Sequence, residues 1–244
     1  GPRLRCVAIS DTHMQHARLD ALPLGDVLIH CGDATNFGRP DELRDFAEWF
    51  ASQPHRHKIF VPGNHDMIFD EPYWSEYWGD WSHEPGTGLD DLLAPFAASG
   101  VHVLIDRTVE IQGVAFHGSP WTPKEYPWRM GFNVPKPDLG AKWAAIPPST
   151  DVLLTHMPPR GAGDMLMDGS REGSESLREA VERVQPAFHV FGHVHNDFGA
   201  TVAESDVART VFINAAQVSD VYYTKSRQPV IFDVQQRTDE HASR

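Results

Sequence analysis

Apolar residues in this 244-residue chain gather in short runs rich in Val, Ile and Leu, each closed by Gly, Pro, Asp or Asn. Runs at residues 6–9, 27–31, 58–61, 101–105, 114–117, 152–155, 187–191, 210–213 and 229–234 predict strands that end in loops. Between them the period changes. Leu43, Phe46, Ala47 and Phe50 recur at helical spacing behind Pro40-Asp41-Glu42, a helix-start signal. Leu177, Ala180, Val181 and Val184 repeat the pattern, with Ser174 placed as an N-cap. Residues 90–99 form a weaker third helix. The early order, strand–loop–strand–helix–strand, predicts α/β layering, and the closer spacing of the later strands predicts partly antiparallel pairing. Two stretches break both periods. Residues 71–88 carry Trp74, Trp78 and Trp81 and read as a long surface excursion, as do residues 119–137 with Trp121 and Trp128. No repeat or linker interrupts the pattern, so a single domain over 1–244 is expected, with Gly1-Pro2 as a remnant of tag removal.

Composition narrows the function. Asp and Glu number 34 against 21 Lys and Arg, a formal charge of −13. That is the wrong sign for a general binder of long nucleic acids, which needs cationic surface to release counterions. It suits a small ligand, or a site whose metal ions supply positive charge locally. Cys6 and Cys31 lie inside apolar runs and read as buried reduced thiols. No apolar run reaches the roughly 18 residues of a membrane helix, and no signal peptide is visible. The expectation is a cytoplasmic protein without a membrane partner, its oligomeric state open.

The candidate chemistry sits where the strands end. Ser10-Asp11-Thr12-His13 follows the first, Gly32-Asp33 the second and Gly63-Asn64-His65-Asp66 the third. His156 follows the 152–155 run, and Gly192-His193-Val194-His195 the 187–191 run. The C-terminal edge of an open α/β sheet is where ligands bind. Asp, His and Asn are donors suited to divalent Mn, Fe or Zn. The count fits two ions: Asp11, His13 and His195 for one, Asn64, His156 and His193 for the other, with Asp33 bridging. If the stretch at 191–199 is extended, residues i and i+2 share a side, and His193 and His195 then present both rings in one direction. Each motif alone is equally well a polar turn; the five together, in this order, are not.

D-x-H, G-D, G-N-H-D, H and G-H-x-H in this order resemble the signature of the calcineurin-like metallophosphoesterases. The longer stretches L-I-H-C-G-D-A-T, P-G-N-H-D-M-I-F-D, H-G-S-P-W-T-P, T-H-M-P-P and F-H-V-F-G-H-V-H-N-D-F-G look like its metallophosphoesterase-domain-containing group, of the class III nucleotide phosphodiesterase type. The resemblance implies a four-layer αββα sandwich with mixed sheets. It also implies a dinuclear centre, Mn²⁺ first with Fe, Zn, Co or Ni as alternatives, and hydrolysis of small phosphodiesters, cyclic nucleotides foremost. The alternatives are a broad phosphoesterase, a nuclease on short strands and a non-catalytic scaffold. Two cations would turn a bridging water into hydroxide near neutral pH, and that hydroxide would attack phosphorus in line. His65 is the implied proton donor to the leaving oxygen, with Asp66 orienting it. Asn64 is expected to touch both metal and phosphate.

Further candidates are less determined. His16 and His117 could reach the substrate. Trp121, Phe132 and Asn133 could form a platform for a base, or be loop residues packed on the core. His30 and His189, inside strands, are either partners that orient ligands or packed residues.

Overall fold

The computed structural model describes residues 1–81, 89–124, 129–204, 209–219 and 227–236. In chain order the strands are β1 (Arg3–Ile9), β2 (Val27–His30), β3 (His57–Phe60), β4 (Val101–Val103), β5 (Arg107–Ile111), β6 (Val114–Ser119), β7 (Thr122–Pro123), β8 (Asn133–Val134), β9 (Val152–Thr155), β10 (Phe188–Phe191), β11 (Gly199–Glu204), β12 (Arg209–Asn214) and β13 (Val230–Gln235). The α-helices are α1 (Pro40–Ser52), α2 (Glu71–Trp81), α3 (Leu89–Leu92), α4 (Ala94–Ala98), α5 (Leu139–Ala144) and α6 (Glu175–Val184).

Two mixed sheets face each other, one in the order β13-β1-β2-β3-β4 and the other β11-β12-β10-β9-β6-β5. The strands that carry the motifs pair in parallel: β1 with β2, β2 with β3, and β9 with β10. Their sequences are apolar on both pleats because both faces are buried. Leu4, Cys6 and Ala8 of β1 pack between the sheets with Val152 and Leu154 of β9. Val7 and Ile9 point the other way, into a layer with Phe46 and Phe50 of α1 and Phe96 of α4. On the far side, Leu153 of β9 meets Trp143 of α5 and Leu177 and Val181 of α6. Helices thus cover both outer faces, the expected αββα layering.

The predicted helices at 40–50 and 177–184 are present, and the Ser174 hydroxyl accepts from Leu177 N–H as a true N-cap. The third splits at Leu93 into α3 and α4, because Pro95, in the first turn of α4, has no N–H to continue the ladder from α3. The excursion at 71–88 is corrected: residues 71–81 are helix α2, with Pro72 in the first turn where its missing N–H costs nothing, and 82–88 lie outside the described residues. Within 119–137, β7 and β8 pair in parallel, and Trp128 lies outside the described residues. Both cysteines are buried and unpaired. Among the described residues no helix is long and apolar enough to cross a membrane.

Candidate metal centre

All five motif loops leave the same edge of the paired sheets, and backbone hydrogen bonds zip the first two together. Asp11 N–H donates to Gly32 O at 2.8 Å and His13 N–H to Asp33 O at 3.0 Å. The loops turn sharply. Asp11, His13, Asp33 and His193 all have positive φ, at 51°, 41°, 55° and 67°. Such left-handed backbone is uncommon for any residue but glycine, and Asp and His tolerate it best among the rest. The glycines serve close approach. A Cβ on Gly192 would overlap the Asp11 carboxylate, and one on Gly63 the Asp33 carboxylate.

The extended stretch expected at 191–199 is corrected. β10 ends at Phe191, His193 is left-handed and His195 opens a 3₁₀ turn; the two rings nevertheless join different donor sets, as the motif count assigned them. One set is Asp11, His13 and His195, a second contains Asp33, His156 and His193, and a third, His13, Asp33 and His65, overlaps both. In the first, His195 Nε2 lies 3.2 Å from Asp11 Oδ1 and 3.3 Å from His13 Nε2. In the second, His156 Nε2 lies 3.0 Å from Asn64 Oδ1 and 3.3 Å from Asp33 Oδ2. The same Asp33 Oδ2 is 3.7 Å from His13 Nε2, so this carboxylate stands between the two sets. These spans are the separations of donors that share one cation about 2.1 Å from each.

The tautomers suit a cation too. His156 Nδ1–H donates to Cys31 O at 2.8 Å, which leaves Nε2 with its lone pair facing the other donors. Burial alone would raise the Asp33 carboxyl, but the His156, His65 and His13 rings outweigh it and hold Asp33 well below the ordinary range. Burial pushes His13 down to about 4. His156 goes the other way, up to about 9, because Asp33 and Asp11 overcome its burial. Without a cation the carboxylates therefore hold a proton on His156, which a metal must displace.

Histidines one strand over brace both halves. Gly32 N–H donates to His30 Nδ1 at 3.2 Å, so the His30 proton sits on Nε2 and reaches the Thr12 hydroxyl at 3.0 Å. In the second sheet the Thr155 hydroxyl donates to Met157 O at 2.6 Å and therefore accepts from His189 Nε2, 2.8 Å away. Thr12 precedes His13 and Thr155 precedes His156. Burial pushes both braces down to about 3, so they stay neutral donors. The sequence left His30 and His189 between two roles; each bonds the threonine before a donor histidine and each packs among core phenylalanines. Nothing in the sequence marked their threonine partners.

Several expectations about the substrate side are overturned. Asp66 does not orient His65: its buried carboxylate accepts from Gly63 N–H, Thr35 N–H and the Thr35 hydroxyl at 2.8–2.9 Å, clipping the second loop to the third. The His65 ring is set instead by the Asn36 carbonyl, 2.6 Å from Nδ1, with Nε2 4.0 Å from Asp33 Oδ2. His16 is sealed under α1 against Asp45, Phe46 and Trp49. His117 is buried in β6 and bonded to Thr108. Trp121 is not free to stack on a base: its indole N–H donates to Asp106, Lys142 lies 3.4 Å over its face and Phe132 packs on its edge. Phe132 is 2% exposed and belongs to the core. Asn133 does line a cleft of about 240 Å³ beside Asn64, His65 and His193. Glu172, which the sequence did not single out, lines it too, its carboxylate 3.4 Å from His193 Nε2.

Residues 4–197 match the family model for calcineurin-like phosphoesterases. The chain belongs to that family. Human metallophosphoesterase domain-containing protein 1 is 36% identical over 94% of this chain and 71% of its own length. A UPF0046 protein of Caenorhabditis elegans is 38% identical over 97% and 77%. Among solved structures, TT1561 of Thermus thermophilus superposes with a TM-score of 0.52 at 12% identity, covering 88% of this chain and 92% of that one, a likeness of fold. As a calcineurin-like phosphoesterase, the protein is a metal-dependent hydrolase of phosphoesters, and the two donor sets are the part of it that could hold the metal.

Proposed function

We propose that the protein is a dinuclear phosphodiesterase of small phosphodiesters, with cyclic nucleotides the foremost substrates and Mn²⁺ the first candidate for both ions. One observation carries the reading: Asp33 Oδ2 stands between His13 and His156, each of which belongs to its own cluster of donors. Asp11, His13 and His195 would hold one cation, Asn64, His156 and His193 the other, and Asp33 would serve both. Bound there, the two ions supply Lewis acidity, which activates water near neutral pH and offsets the charge of the phosphate.

The chain's own residues do the rest. The cleft beside Asn64, His65 and His193 receives the diester. The Asn64 carboxamide stands where it serves both a metal and a phosphate oxygen. His65 keeps its Nδ1–H on Asn36 O and hands the Nε2 proton to the departing oxygen. Its side chain is 33% exposed and lines the cleft, so the ring can be reprotonated from solvent.

The −13 charge makes polyanions poor substrates. With Mn²⁺ at physiological salt, a 3′,5′-cyclic nucleotide or bis(4-nitrophenyl) phosphate is turned over, and duplex DNA at equal phosphate concentration is cut at least tenfold more slowly, a margin of about 1.4 kcal/mol. Efficient cleavage of duplex DNA would replace this reading with that of a nuclease.

A further inference from the structure

The aromatic platform is unavailable, yet the organic part of a phosphodiester needs somewhere to lie. A cavity of about 600 Å³, well within the range of small-molecule sites, opens beside the cleft at the candidate centre. Pro123 and Glu172 line both spaces, so they are contiguous. Glu172 is the hinge of the arrangement: it faces His193 on one side and the larger cavity on the other.

The lining has a distinct chemistry. Its floor is apolar, with the buried side chains of Leu139 and Met157 and half-buried Leu166. Its rim mixes signs. Lys136 and Arg160 stand against Glu172, Glu175 and Glu179. A further rim guanidinium, Arg171, is spent on the fully buried carboxylate of Asp164. A second phosphate would meet no net positive field here. A neutral group with an apolar ring face and several hydroxyl or amide edges would find a floor to cover and both donors and acceptors at the rim.

We propose that this cavity is the subsite for the retained organic substituent of the diester, a neutral ring-bearing group of nucleoside size, and that Glu172 marks the boundary between it and the phosphate. The proposal rests on the phosphodiesterase reading above and adds to it the place where the ring-bearing part of the substrate lies. It also gives the ring a place that does not depend on Trp121 or Phe132: the floor residues bury it from below.

Two diesters with the same leaving group separate the subsite from the chemistry. Methyl 4-nitrophenyl phosphate and thymidine 5′-(4-nitrophenyl) phosphate differ only in what is retained. The Mn²⁺-loaded wild-type protein should prefer the thymidine diester through a lower KM. Leu166→Trp narrows the cavity from within, and Glu179→Trp does so from an exposed helical position that leaves the core untouched. Each should raise KM for the thymidine diester roughly tenfold, the loss of about 1.4 kcal/mol of binding, and leave both kcat and the methyl diester within about twofold. Equal effects on the two diesters, or none from either variant, would overturn the subsite and leave the phosphodiesterase reading standing. Hydrolysis of neither diester by the wild-type protein would sink both.

Discussion

Asp33→Ala is expected to remove more activity than the loss of any other donor, roughly three orders of magnitude or more in kcat/KM, the scale on which metal activation of water and charge stabilisation act. The reason is position. Asp11, His13 and His195 form one cluster, and His156 and Asn64 belong to another, but the Asp33 carboxylate lies within 3.7 Å of a ring from each. It also accepts the backbone N–H of His65 at 2.9 Å, so its removal loosens the loop that carries the candidate acid. Losing His193 or Asn64 touches one set; losing Asp33 touches both. The check is elemental analysis of the purified variant beside its rate on bis(4-nitrophenyl) phosphate. Two retained ions with near-normal turnover would refute the shared role of Asp33.

His65→Ala separates proton donation from metal binding. Its ring also lies near His13 and Asp33, in a group that could itself hold an ion, so the two roles need an internal comparison. As a proton donor, His65 matters when the leaving group is a poor one. The variant should keep its metal and lose roughly 10²–10⁴-fold on a cyclic nucleotide, whose ribose oxygen leaves as an alkoxide unless protonated. Nitrophenolate leaves without help, so a nitrophenyl diester should suffer far less. Equal losses on both substrates would assign His65 to phosphate positioning. Loss of metal along with activity would make it a ligand.

How far the sequence reveals these features depends on the range of the contacts that make them. β1, β2, β3, β9 and β10 were legible because burial on both faces writes a largely apolar run of four or five residues, interrupted by polar residues such as Lys58 in β3 and His189 in β10. Not every edge strand is written that way, although β4 and β13 were. β5 reads R-T-V-E-I and is largely open to solvent, so it left no such run and was missed. Helix α2 was hidden because its tryptophans and Pro72 suggested an irregular loop, whereas Trp74 packs on the aromatic core. The donor residues were legible as motifs because each follows a strand end, and the paired sheets bring all those ends to one edge. What lay beyond them was not. His16 finds Asp45, Trp121 finds Asp106 and Lys142, and His65 finds the Asn36 carbonyl, all across distances in sequence that no local pattern encodes. The backbone at His193 followed the same rule: its left-handed conformation is invisible to period-two reasoning, although the assignment of His193 and His195 to separate sets was legible from the motifs.

The central claim is that two cations share this site. It is tested most directly by titrating metal-depleted protein with Mn²⁺ in a calorimeter at pH 7, in two buffers of different ionisation enthalpy. The account predicts saturation at two ions per chain, with release of the proton that the carboxylates hold on His156, whose pKa stands near 9 without metal. Saturation at one ion, or no binding at all, would contradict it.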